Sequence, residues 1–252
     1  MRLPSGPDGA EVVDRLWTLT QDPVQHARWD LRFSSIAPVA LATGAPAQPD
    51  DAGTGAGPAT TQRFTYLLEL PHPRLPLLRV SGEGASTSAR RDASGRGTSA
   101  LRWTVAGALS PLGPGAGWWR YVPQHGRVLF RTGYDYAPGW GRVGPLLDPW
   151  LVRPLVGWAT AWSFDRLRLW VERDLDPAVA RDRSLALLLA RVVLTLGGAG
   201  AALRGRPLLG VAVALLALAA PPPAAVPAAR RCRRRPRGRH EPPSSPARPE
   251  VP

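Results

Sequence analysis

The side chains that could do chemistry in this sequence are mainly phenols, indoles and a few charges. In Arg127–Tyr136, Val128, Phe130, Thr132, Tyr134 and Tyr136 alternate with Leu129, Arg131, Gly133 and Asp135, so both tyrosines share one strand face with Phe130. Gln62–Leu70 alternates in the same way, setting Tyr66 with Phe64 and Leu68, and Trp103 lies in a third alternating run, Thr98–Ala106. With Trp158 and Trp162, these residues form a candidate lining for an apolar cavity: Tyr66, Trp103, Phe130, Tyr134, Tyr136, Trp158 and Trp162. Phenols in such a cleft orient a carbonyl or hydroxyl of a bound molecule. The competing reading makes them core residues with internally satisfied hydroxyls. Asp165 and Arg166 lie within a tryptophan-rich helix, where an unpaired charge is costly. They read as a structural ion pair fixing that helix to the sheet or to the first helices, or as a polar anchor in the cavity.

Catalytic signatures are few. Phosphate-cradling glycine loops, HExxH and Gly-x-Ser-x-Gly do not occur, and the histidines at 26, 72, 125 and 240 are scattered. His26 alone has apolar neighbours. The expectation is no metal site, no cofactor and no assigned catalytic residue. Cys232, the single cysteine, sits in an arginine run, which offers neither a disulfide framework nor a Cys-rich zinc pattern.

The elements that must hold these groups follow from periodicity. Glu11–Leu19 is a short amphipathic helix, and Thr20 or Asp22 caps a second, with Pro23 at its first position and an end near Trp29. Leu31–Val39 reads as a strand with Leu31, Phe33 and Ile36 inward. Residues 43–62 read as a mobile loop, and strands follow at Gln62–Leu70, Leu78–Ser86, Thr98–Ala106, Gly117–Pro123 and Arg127–Tyr136. A polar turn fills 87–97, and Gln124-His125-Gly126 turns a hairpin. A long helix over 145–173 completes the domain, too apolar to lie solvated and the one element able to cover a sheet.

All 32 basic residues are arginine, and their distribution is uneven. Residues 1–183 carry 21 arginines against 17 acids, whereas 184–252 carry 11 against two. The basic character therefore belongs to the C-terminal part, which argues against a nucleic-acid partner for the domain. Leu185–Leu203 is apolar except for Arg191, and Pro207–Ala220 follows after Arg204 and Arg206. One or two transmembrane helices are expected, as a hairpin over 184–229 with spans at about 185–203 and 207–228. Seven arginines between Arg230 and Arg239 make that end cytoplasmic, and two spans return the domain to the same side. The N-terminus lacks the apolar region of a secretory signal.

Five segments carry a family resemblance: LWTLTQDPVQHARWD, WWRYVP, FRTGYDY, WGRVGPLLD and RPLVGWATAWSFDRLRLW. Over residues 8–175 the chain resembles the SRPBCC (START-like, polyketide cyclase/dehydrase) superfamily, and more narrowly an uncharacterised bacterial branch with a membrane segment. The resemblance implies an α+β helix-grip fold, an antiparallel sheet around a long C-terminal helix and an apolar cavity. It departs from the pattern at the front, where only Met1–Ser5 remains for the first strand. The expected organisation is a START-like domain (1–176), a membrane hairpin (184–229) and an Arg-rich, then Pro-rich, disordered tail (230–252). The expected function is membrane-tethered, non-catalytic binding of a hydrophobic small molecule or lipid. The alternatives are a cyclase/dehydratase-type enzyme, or a structural or regulatory membrane protein whose cavity is filled by its own side chains.

Overall fold

The computed structural model describes residues 1–4, 9–39, 60–72, 75–92, 94–107, 110–124 and 126–232. The chain is α+β. Its elements are β1 (Arg2–Pro4), α1 (Gly9–Gln21), α2 (Pro23–Trp29), β2 (Ser35–Pro38), β3 (Thr60–His72), β4 (Leu75–Arg91), β5 (Gly97–Ala106), β6 (Leu112–Gln124) and β7 (Arg127–Pro138). Then come α3 (Gly144–Leu147), a π-helical turn (Asp148–Val152), α4 (Arg153–Arg173), α5 (Pro177–Leu203), α6 (Pro207–Ala219) and a 3₁₀ turn at Ala229–Arg231. Among the described residues the strands form a seven-stranded antiparallel sheet in the order β1-β7-β6-β5-β4-β3-β2.

Asp22 starts α2 as expected, accepting the Val24 and Gln25 amides at 2.8 and 3.3 Å, with Pro23 supplying a helical φ without an unsatisfied donor. The edge strand foreseen in Met1–Ser5 exists and is short: Arg2 pairs with Leu129, and Leu3 is fully buried. Two strand expectations need correction. Leu31 and Phe33 belong to the turn after α2 and are half-buried, leaving Ser35–Pro38 as the strand and Ile36 as its inward residue. β4 continues past Ser86 to Arg91, so most of 87–97 is strand, because Thr87–Arg91 pairs with β5 across a bulge. The turn itself is built on Asp92, which accepts the Ser94 and Arg96 amides, both at 2.9 Å. The loop over 43–62 lies largely outside the described residues.

The helix expected over 145–173 is present as one continuous helical run of α3, the π turn and α4. With α1, α4 covers one end of the sheet. Leu3, Val13, Leu16, Trp29, Tyr121, Val128, Phe130, Phe164 and Leu167 form its core, all under 5 % exposed.

Beyond α4 the chain turns within three residues into α5, whose 27 residues extend about 40 Å. It is the one described helix long and apolar enough to cross a membrane. α6 has 13 residues, about 20 Å, and stops where Pro221–Pro223 remove the next amide donors. The second span expected at 207–228 is therefore shortened: residues 220–228 are not helical. α5 and α6 touch backbone to backbone. A Cβ on Gly210 would meet the Gly198 carbonyl at 2.3 Å, a contact open only to glycine. Nor does the tail begin at 230. Ala229–Cys232 returns to α4 and is buried there, apart from the arginine side chains.

Candidate functional site

The residues expected to line one cavity separate into three groups. Phe130 is solid core, wedged between Tyr121 and Phe164 at 4.9 and 5.0 Å between ring centres. Tyr136 is also buried, its phenol donating to Asp148 at 2.6 Å with Arg153 stacked 5.4 Å over its ring. Burial, and then the neighbouring carboxylate, push that phenol's pKa up.

Tyr66, Trp103 and Tyr134 are half-buried and share the sheet face that the helices partly cover. Each lies over a glycine of the neighbouring strand. Tyr66 is opposite Gly82, Trp103 opposite Gly115 and Tyr134 opposite Gly117, with Phe64 over Gly84 beside them. A Cβ on Gly115 would stand 2.3 Å from the Trp103 ring, so the glycines are what allow the rings to lie flat. The Tyr66 hydroxyl donates to the Thr104 carbonyl at 2.8 Å, and burial raises its pKa to about 12. Tyr134 shares a 3.3 Å bond with the Thr160 hydroxyl of α4. Arg32 reaches between Phe33 and Tyr134, about equally far from both rings at 5.8 and 5.9 Å. The result is an aromatic floor with phenols and one guanidinium along its edge.

Trp158 and Trp162 form the third group, stacked 6.3 Å apart on α4. Trp162 is buried under Arg166, whose guanidinium is 5.0 Å from the ring, while Trp158 is 43 % exposed.

Asp165 and Arg166 do not pair with each other. Asp165, with no exposed side-chain surface, binds Arg168 at 2.7 Å and Arg231 at 3.1 Å and accepts the Ala228 amide at 2.8 Å. These contacts tie α4 to the returning C-terminal segment, where the expected partner was the sheet or the first helices. Arg231 also donates to the carbonyls of Pro222, Pro223 and Val226, satisfying acceptors that a non-helical segment leaves open. Arg191 does the same for Ala220 at the end of α6. Arg166 donates to the Arg28 and Pro177 carbonyls at 2.8 and 2.9 Å, its Nε has no partner, and burial lowers its pKa to about 10.

A buried network around His26 was missed. Asp30, fully buried, takes a bidentate contact from Arg32, with Nε–Oδ1 at 2.9 Å and NH2–Oδ2 at 2.6 Å, and meets His26 Nε2 at 3.1 Å. Burial disfavours the Asp30 charge, yet Arg32 overrides it and holds the carboxyl well below the usual range. Burial lowers the pKa of His26, against the pull of Asp30. The spacing His-x-x-x-Asp-x-Arg was the available signal. His26 borders a recess of about 30 Å³, where Thr20, Gln21, Gln62, Ser86 and Ser99 face Phe64, Leu101 and Trp119. That volume holds one or two waters.

No family model matches the chain, and no solved structure matches it. It is 36 % identical over 166 residues to the uncharacterized membrane protein YndG of Bacillus subtilis (strain 168), a match covering 66 % of this chain and 55 % of that one. The chain thus spans about half the length of that relative. It is also 27 % identical over 137 residues to the ribonucleoside-diphosphate reductase large subunit of bovine herpesvirus 1.1 (strain Cooper), covering 51 % of this chain and 16 % of the other. Similarity to a membrane protein agrees with the exposed apolar surface of α5.

Proposed function

We propose that the protein is a membrane-anchored, non-catalytic binding domain of the helix-grip, SRPBCC (START-like) type, taking a hydrophobic small molecule or lipid onto its aromatic floor. The strand order, with β1 beside β7 and a long helix packed across that end, supports the helix-grip reading. One observation carries the function: Tyr66, Trp103 and Tyr134 form a half-open apolar surface in a chain with a candidate bilayer anchor. The Tyr66 and Tyr134 hydroxyls spend their protons on Thr104 and Thr160, which leaves their oxygens as hydrogen-bond acceptors along its edge. The 30 Å³ recess encloses no such ligand, so the ligand lies on the open floor rather than inside a closed chamber. The domain and the Arg-rich tail face the cytoplasm in this reading, because the arginines cluster beyond α6.

Extraction of the full chain in organic solvent, followed by mass spectrometry, tests the proposal. A stoichiometric apolar molecule that disappears in Trp103→Ala supports it, and an empty extract from both proteins refutes it. A second reading, a structural or regulatory membrane protein filled by its own side chains, is favoured by the small size of the recess. The empty extract is the outcome it expects. A reporter fused after Pro252 that is active only outside the cytoplasm refutes the orientation.

A further inference from the structure

The segment joining β7 to α4 carries an apolar stripe that the rest of the protein leaves uncovered. Leu146, Leu147, Trp150, Leu151, Leu155 and Trp158 are all exposed, Trp150 by 85 % and Leu146 by 72 %. They recur at steps of about four residues. In a straight α-helix such steps drift around the axis, and the wider π turn at Asp148–Val152 offsets the drift and keeps them on one side.

The stripe cannot roll inward, because the opposite side of the same segment is fixed. A Cβ on Gly144 would fall 1.6 Å from the Gly139 carbonyl, so strand end and helix start are in backbone contact. One turn later Asp148 is buried and bound to Tyr136 at 2.6 Å and to Arg153 at 2.9 Å, and Val152 is buried beyond it. Outward display of the tryptophans and leucines is therefore built into the fold. A soluble surface rarely carries so continuous an apolar run without an occupant.

We infer that this stripe lies in the headgroup region of the bilayer that the chain's own helical hairpin enters, giving the domain a second membrane contact. Its chemistry fits a lipid surface. Tryptophan is the residue of the membrane–water interface, and the leucines reach the acyl boundary. Beside the stripe Arg142 is an exposed cation complementary to anionic headgroups, while Arg153 is paired with the inward-turned Asp148 and has Asp135 nearby. Asp148 and Arg153 also hold Tyr136, next to Tyr134 on the aromatic floor at 6.4 Å between rings. Docking the stripe brings that end of the floor to the lipid. The inference rests on membrane anchoring but not on ligand binding, and stands even if organic extraction yields nothing.

The test uses the full chain in vesicles of phosphatidylcholine with phosphatidylglycerol, carrying Trp150→Cys labelled with an environment-sensitive fluorophore. Native Cys232 stays in place, buried with its thiol pushed up to about 11, and Trp150 is too exposed for its replacement to unfold the domain. Ser94→Cys, in the β4–β5 turn at the opposite end of the sheet, is the control. The label at 150 is expected to shift to the blue, to be quenched severalfold by acyl-brominated lipid and to resist iodide, with the reverse at 94. A label at 150 that remains open to iodide in the inserted protein overturns the inference. So does one shielded in detergent without bilayer in proportion to protein concentration, which makes the occupant a second copy.

Discussion

Replacing Asp165 by asparagine probes the contact that returns the chain from its apolar hairpin to the domain. The amide keeps the shape and one acceptor for the Ala228 amide but removes the charge facing Arg168 and Arg231. Arg168 retains Glu172 at 2.5 Å, and Arg231 retains three carbonyls, so the loss concentrates on the Asp165–Arg231 link. Breaking one partner of a buried ion pair costs about 3–5 kcal/mol, and the surviving acceptor places this substitution near 3. At about 2–4 °C per kcal/mol for a domain of this size, the melting temperature falls by roughly 6–12 °C. Cys232 supplies a local readout. It is 5 % exposed, lies next to Arg231, and is the chain's single cysteine. Its reaction with a thiol reagent in the folded protein is slow and accelerates at least tenfold in Asp165→Asn. Arg231→Gln accelerates it too, and the double variant adds less than the sum of the two. An unchanged melting temperature together with an unchanged thiol rate refutes the clamp.

Four further outcomes follow from the geometry. Gly82→Ala destabilises by about 1–3 kcal/mol, because its Cβ would stand 2.1 Å from the Thr104 carbonyl and 2.5 Å from the Tyr66 hydroxyl. Gly157→Ala, with nothing within 4 Å on the exposed side of α4, stabilises by about 0.5–1 kcal/mol, and chemical denaturation measures both. The His26 pKa is lower folded than unfolded, so stability is complete above about pH 6.5 and falls as pH drops below it, where the unfolded chain takes the extra proton. Asp30, held below its unfolded value, adds a further loss below about pH 4. Melting temperatures from neutral to mildly acid pH should show the first limb in the native chain and a flattened one in His26→Gln. Gly210→Val forces α5 and α6 apart, read as a longer spin-label distance between Leu196→Cys and Leu209→Cys than in the native hairpin.

The strands were legible because one wet face makes residues alternate, and the cross-strand pairing sets Tyr66, Trp103 and Tyr134 on one half-buried sheet face. Register was not legible. Only with Tyr66 opposite Gly82 and Trp103 opposite Gly115 do the glycines of β4 and β6 become recesses for rings rather than turn residues. Asp165 was recognised as a charge needing a partner, but Arg231 is 66 residues away, across a hairpin that local pattern cannot fold back. The tryptophans of α4 illustrate the opposite error. Composition counted Trp158 as lining, yet position in the fold decides, and only Trp162 and Trp170 of the three are buried. The end of α6 was written in the sequence as three prolines, and reading a span through them gave too little weight to the missing amide donors.

The connections to the apolar hairpin have a mechanical consequence. The chain enters it through Asp174–Asp176, with Asp174 left-handed and paired to Arg15, and Asp176 capping α5 while binding Arg28 at 2.6 Å. It leaves through the Arg231–Asp165 clamp. The entry is only three residues long and the exit is held by a buried carboxylate, so torque on the hairpin is transmitted to α4 rather than absorbed by a long linker. Under the membrane-anchored reading proposed above, such a domain drifts laterally and spins about the membrane normal as one body rather than swinging like a tethered ball. On that reading its attitude to the lipid is fixed during folding, and the orientational entropy is lost once, before any encounter at the surface.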